Sequence, residues 1–363
     1  MMALKKLIIP FAAMMLCLGP PVSMAQPSGG DNPAADLASG AWELYRHKFV
    51  TGEGRVIDNK AGDISHSESQ GYGMLMAVIA NDRRSFESIW KWTRANLMTR
   101  DDALASWRWD GSQKPHVKDK NNATDGDLLI AWALLRASKL WGRADYKKLA
   151  LQIAQAITAK ATLDTAYGKM LMPGVHGFKA NDQPDGPIVN LSYWVFPALN
   201  DLGLTSEAFP ARPLLRSGLS LMREARFGPA QLPPDWISLS QREPRPAKGY
   251  PSQFGYDAIR VPLYLAWYSA EYPELLEVFA RQWRKTPANG LAVVELATAT
   301  QTSFLTDAGY KAVAEVVECS LGRPLNVDAI SNFTPTDYYP STLHVLSLMV
   351  IAERYPTCLT GSR

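Results

Sequence analysis

Three cysteines and five histidines in 363 residues, scattered rather than grouped at ligand spacing, give no basis for a zinc, haem or iron–sulfur centre. Net charge is nearly missing as well. Lys and Arg number 38 against 35 Asp and Glu, a formal balance of +3. So small a charge suits neither nucleic acid nor an anionic membrane as the main partner. The apolar run Leu7–Leu18 is too short to span a bilayer comfortably, and no later stretch is longer. Strand-like alternation is scarce. What the chain does have is aromatic surface, with 11 Trp and 14 Tyr. Neutral polymers are gripped by flat aromatic faces without electrostatic attraction, although most such rings in any protein are packing.

The N-terminus reads as a targeting segment. Lys5 and Lys6 precede the apolar run, and Ser23-Met24-Ala25 is a small-x-small cleavage site. Residues 1–25 are therefore expected to be a signal peptide and the protein to be exported, periplasmic or secreted, with no stable membrane insertion. Residues 26–36, rich in Pro, Gly, Asn and Ala, read as a flexible leader. Residues 37–363 show no dividing linker and read as a single domain. Cys319 and Cys358 stay after cleavage. Export permits a disulfide between them, and the sequence leaves the pairing open.

The periodicity is helical. Ala41, Leu44, Tyr45 and Phe49 share a face, and helical windows follow at 72–79, 86–97, 126–141 and 146–161. Further windows lie at 192–202, 210–225, 257–269, 273–286, 304–319 and 341–352. Gly142 is a suitable stop for the fourth. About a dozen helices result, so the fold class is all-α. Trp90, Trp132 and Trp141 read as core. The Pro/Gly-rich stretches 172–187 and 229–255 are long for loops, and such loops are often functional.

Acids stand in unusual places at three sites. Asp125 and Asp127 lie in Ala123-Thr124-Asp125-Gly126-Asp127, at the mouth of an apolar helix. On local physics alone, Thr124 or Asp125 is an N-cap there. Glu68 sits in Ser67-Glu68-Ser69-Gln70-Gly71-Tyr72-Gly73, where the ordinary reading is again a first-turn acid. Gly71 and Gly73 are poor helix formers and could admit a substrate close to the backbone. Asp257 precedes Arg260 by three residues, a spacing that fits a structural ion pair as well as a held, ionised carboxylate.

The string Ala123–Trp141 resembles, position by position, the signature of glycoside hydrolase family 8. Glu68 lies in a segment similar to the one carrying that family's general acid, with Ser69 replacing the usual Gly. Tyr256-Asp257-Ala258-Ile259-Arg260 resembles the segment carrying its general base. The resemblance implies an (α/α)6 barrel of six inner and six outer helices. It also implies an inverting endo-β-1,4-glucanase acting on cellulose-like glucan, closest to the periplasmic endoglucanases encoded beside bacterial cellulose synthases. Glu68 is then the acid, Asp257 the base, and Asp125 the binder of the sugar at the cleavage point. Asp127 is structural. Inversion requires the two working carboxyls to stand about 6.5–9.5 Å apart. Substrate binding falls to Tyr72, Trp107, Trp109, Tyr193, Trp236, Tyr256 and Arg260. No metal or cofactor is required. A monomer is expected, with a functional association with a cellulose synthase complex. The competing expectations are a chitosanase or xylanase of the same family, and a non-catalytic glucan-binding or assembly protein of a cellulose-export system. The absence of net negative charge disfavours a chitosanase, and the presence of all three carboxylates disfavours a dead enzyme.

Overall fold

Helices that are apolar all round alternate along the chain with helices that are apolar on one side, and this sorts them into two rings. The computed structural model describes residues 32–285 and 290–360. Its principal helices are α1 (Pro33–Phe49), α2 (Ser67–Ile79), α3 (Arg83–Asn96), α4 (Thr124–Trp141), α5 (Ala144–Lys160), α6 (Phe196–Thr205), α7 (Ala211–Glu224), α8 (Arg260–Tyr268), α9 (Pro273–Trp283), α10 (Ala308–Ser320), α11 (Val327–Ser331) and α12 (Tyr338–Arg354). Helices α2, α4, α8 and α12 are buried along nearly their whole length. Each even-numbered helix packs on the next, and α12 returns to α2, closing a six-membered inner ring. The odd-numbered helices lie outside it. The architecture is the (α/α)6 barrel. Inner and outer helices alternate in direction, so all six inner N-termini gather at one end.

That end carries the longer connections and several small antiparallel sheets. Ser65–His66 pairs with Arg108–Trp109. Ile188–Val189, Ile237–Ser238 and Arg245–Pro246 form one three-stranded sheet. Gln253–Phe254, Leu291–Glu295 and Gln301–Leu305 form another.

Several boundaries differ from the sequence expectation. Helix α1 starts at Pro33, with Asn32 capping Ala35 N at 3.2 Å, so the last residues assigned to the leader are helical. Proline at the first helical position is pre-organised for this. The signal peptide and the remaining leader residues lie outside the described residues. Leu44, expected on the buried face of α1, is 49% exposed; Ala38 and Trp42 take that face instead. Phe304 belongs to a strand, and its helix begins only at Ala308. Helix α8 begins at Arg260, which leaves Asp257 in the preceding turn. Pro262 is tolerated there because first-turn N–H groups have no intrahelical acceptor. Ser192 lies in a 3-10 turn, Leu191–Tyr193, ahead of α6. Trp90 and Trp132 are core, whereas Trp141 is half-buried with its indole N–H on Asn81. Cys319 and Cys358 are disulfide-bonded, tying the end of α10 to the segment after α12. Among the described residues no helix is long and apolar enough to cross a membrane.

Candidate active site

Glu68 and Asp125 each occupy the second position of an inner helix, and neither serves as a cap. The N-cap of α2 is His66. Its Nδ1 accepts from Ser69 N at 3.0 Å, and Ser69 Oγ accepts from His66 N at 3.1 Å. The serine that stands in place of glycine thus completes a reciprocal capping box and leaves the Glu68 carboxylate to the cleft. The N-cap of α4 is Ala123, which makes no side-chain cap, so the N-cap reading of Thr124 and Asp125 does not hold.

Close packing of α2 on α4 brings the two acids together. A Cβ at Gly71 would sit 2.6 Å from Leu129 Cβ, and one at Gly126 would sit 2.7 Å from Glu68 N. Gly71 therefore accommodates the neighbouring helix rather than a substrate. Gly73 likewise faces Val56 and Ile89.

One guanidinium organises the three carboxylates. Arg260, 2% exposed at the start of α8, donates through Nη1 to Glu68 Oε2 and, at 3.1 Å, to Asp125 Oδ2. Its Nη2 donates to Ser192 Oγ at 2.9 Å and lies 3.7 Å from Asp257 Oδ1. Asp257 Oδ2 accepts from Asn190 Nδ2 at 3.1 Å, and the Trp236 side chain lies close enough to favour the ionised form of the same carboxyl. The sequence spacing suggested an Asp257–Arg260 pair; in the structure Arg260 is bonded mainly to Glu68 and Asp125.

The electrostatics follow from burial. Desolvation, reinforced by the Glu68 charge, pushes Asp125 up to about 7 against the pull of Arg260. Burial also raises Asp257, with Arg260 opposing and Glu68 assisting. Asp127 is fully buried and pushed up to about 7 by desolvation. It accepts from Ala105 N at 2.8 Å and Asn122 Nδ2 at 2.9 Å, so it anchors the loop before Trp107 and does not face the cleft.

The cleft itself is a cavity of about 310 Å³. Glu68, Asp125, Asp257 and Arg260 line it together with Trp107, Tyr193 and Tyr256. Trp107 is set beside Glu68 by Ser67 N donating to its carbonyl at 3.0 Å, and its indole is held by Asp119 at 2.8 Å. Two of the expected sugar contacts do not line this cavity, and a third, Trp236, stands edge-on against Tyr193 at its margin. Tyr72 is fully buried, with its hydroxyl on that of Tyr264. It faces the core because α2 is apolar on every side. Trp109 packs against Trp92, His116 and the Arg55 guanidinium. The Trp236 ring stacks with Phe178 and Tyr250. Asp58, His66, Tyr338 and Tyr339 also line the cavity and escaped the sequence reading. So did Asn190, Ser192 and Asp235, which support it. They come from remote segments that only the closed barrel brings together, although Asn190 and Ser192 directly precede the noted Tyr193.

Comparison with known proteins fits this geometry. The family model of glycosyl hydrolases family 8 matches residues 14–353. The chain belongs to glycosyl hydrolases family 8. A Novacetimonas hansenii protein named "Probable endoglucanase" is 40% identical over 327 residues, covering 89% of this chain and 93% of the relative. The endo-β-1,4-glucanase of Acetobacter xylinum is 40% identical, with a TM-score of 0.79, over 88% of this chain and 99% of its own. A family 8 endoglucanase from Klebsiella pneumoniae has the same TM-score at 33% identity, over 87% and 100%. The protein is a glycoside hydrolase of family 8.

Proposed function

We propose that this family 8 enzyme, an endo-β-1,4-glucanase, cleaves its glucan with inversion through Glu68, Asp257 and Asp125. The observation that carries the reading is the convergence of all three acids on Arg260 inside an aromatic-lined cleft. Glu68 donates a proton to the glycosidic oxygen as the C–O bond breaks. Asp257 takes a proton from a water whose oxygen attacks the anomeric carbon from the opposite face. The configuration inverts, leaving Glu68 ionised and Asp257 protonated until solvent exchange resets them. Asp257 and Glu68 contact different nitrogens of one guanidinium. Inversion requires these two carboxyls to stand about 6.5–9.5 Å apart, which leaves room for the water. Glu68 and Asp125 share the Nη1 corner. Burial and the neighbouring Glu68 charge favour the protonated form of Asp125 up to about pH 7. Asp125 binds the sugar at the cleavage point. Trp107, Tyr193 and Tyr256 supply ring faces to sugars on either side.

In the same reading residues 1–25 direct export to the periplasm or beyond, and the enzyme acts as a monomer alongside a cellulose synthase complex. The test is reducing-sugar release from carboxymethylcellulose by the parent and by Glu68→Gln, with chitosan and xylan in parallel. Nuclear magnetic resonance of the first-formed anomer reports the stereochemistry. Activity on the cellulose derivative, lost in the variant and yielding inverted product, is expected. A retained anomer would overturn the mechanism, and activity confined to chitosan or xylan would overturn the substrate.

A further inference from the structure

Asp235 is a buried carboxylate with no cation beside it among the described residues. It is 7% exposed, and its bonded donors are all neutral. Its Oδ1 accepts from Gly255 N at 3.0 Å and from Ala258 N at 3.0 Å. Gln253 Nε2 approaches Oδ2 at 3.4 Å, and Asp235 N donates to Gln253 O at 2.9 Å. These bonds clamp the backbone on both sides of Tyr256-Asp257. The next residue, Trp236, lies beside the Asp257 side chain and favours its ionised form, with its ring held by stacking on Phe178 and Tyr250.

We infer that Asp235 is a positioning residue for Asp257: its carboxylate fixes the backbone of the turn that carries Asp257. This rests on the assignment of Asp257 as general base. A purely structural clamp needs only an acceptor, which asparagine supplies without the cost of burying a charge. The charge has a use if it faces the base, because a neighbouring anion strengthens a carboxylate as a proton acceptor. Burial and the charge of Asp257 push Asp235 itself up to about 6. The groups facing Asp257 are Arg260 of α8, Glu68 of α2, Tyr193 of the 3-10 turn, Tyr339 of α12 and Asp235. Arg260 strengthens the ionised form of Asp257. The anions Glu68 and Asp235 oppose it.

The test compares Asp235→Ala, Asp235→Asn and Asp257→Ala on carboxymethylcellulose, with kcat and KM resolved across pH. Asp235→Ala is expected to lower kcat by about 10²-fold, the scale of a group displaced by about 1 Å, with KM little changed. Asp235→Asn keeps the acceptor, so it restores most of kcat. It removes an anion, so the acidic limb of the kcat/KM profile moves to lower pH. An Asp235→Ala variant with parental kcat, or an Asp235→Asn variant with an unmoved acidic limb, overturns the inference. The asparagine variant carries the test alone if the alanine variant fails to fold. Asp257→Ala separates the two levels. If it stays active, the base assignment fails and takes this inference with it. If it is inactive while Asp235→Ala is not impaired, only the inference fails.

Discussion

Replacing Gly71 with alanine should cost far more activity than stability. The new Cβ would lie 2.6 Å from Leu129 Cβ. Carbon atoms settle at about 3.5–4.0 Å, so α2 and α4 must part by roughly 1 Å. Leu129 Cβ is bonded directly to the α4 backbone and cannot swing aside. Glu68 lies one turn above Gly71, and Asp125 lies one turn above Leu129, so the wedge opens directly beneath the acid pair. Overpacking costs about 1–3 kcal/mol, offset by about 1 kcal/mol from the better helix propensity of alanine. The net loss of about 0–2 kcal/mol lowers Tm by only a few degrees. A 1 Å displacement of the acid from the positions that bind the sugar lowers kcat by about 10²-fold. Calorimetry and reducing-sugar release on the same preparation read the two effects. Gly142→Ala is the control. Gly142 has φ +66° and nothing within 4 Å of the added Cβ, so strain of about 1–2 kcal/mol should leave kcat unchanged. A Gly71→Ala enzyme with parental kcat/KM would refute the packing argument.

Other consequences follow from the same structure. Replacing Cys319 and Cys358 by serine removes a cross-link spanning 39 residues and should lower the unfolding free energy by about 2–4 kcal/mol in urea titration. It should leave kcat at 25 °C intact, since neither residue lines the cleft; a large loss of kcat would contradict that placement. Asp127 should make stability pH-dependent. Its unfolded value is near 3.9 and its folded value about 7, so the folded state prefers the neutral acid. The resulting stabilisation is complete below about pH 4 and is lost as pH rises through about 7. Asp127→Asn does not titrate, so parent-minus-variant stability should fall across that window; a constant difference would count against the burial argument.

The sequence carried the helices well because outer helices show a periodic apolar face, while inner ones show apolar stretches of helical length. Boundaries were harder. Asp257 and Phe304 were read as helical since apolar residues continue past them, yet a first-turn proline and a strand pairing with Leu291–Glu295 set the ends. The acids stood out by their context in Gly-rich turns ahead of apolar helices. The sugar contacts fared less well. Trp107, Tyr193 and Tyr256 reach the cleft and Trp236 stands against Tyr193 at its margin, whereas Tyr72 and Trp109 are engaged by Tyr264 and by Trp92. An aromatic residue near a motif carries no mark of which way its ring turns. Arg260 was visible as a partner of Asp257, but its principal bonds span 135 and 192 residues of chain and exist only once the ring has closed.

The placement of these acids at helix N-termini invites an explanation that the structure reverses. Six inner helices direct their positive ends at the cleft, and such a dipole favours ionised carboxylates by about 0.3–1 kcal/mol each. That is less than one decade of protonation equilibrium. Asp125 and Asp257 move the other way, towards the neutral form, so desolvation outweighs the dipole and the Arg260 charge. The barrel end therefore serves as a sealed floor more than as an electrostatic sink. Closing the ring tightly enough to desolvate Asp125 and Asp257 beside one guanidinium raises the proton affinity of those two aspartates, and a raised affinity is what lets a carboxyl hold a proton near neutral pH. Gly71 and Gly126 are then as much a part of the chemistry as the acids, because they set how closely the helices carrying those acids can approach.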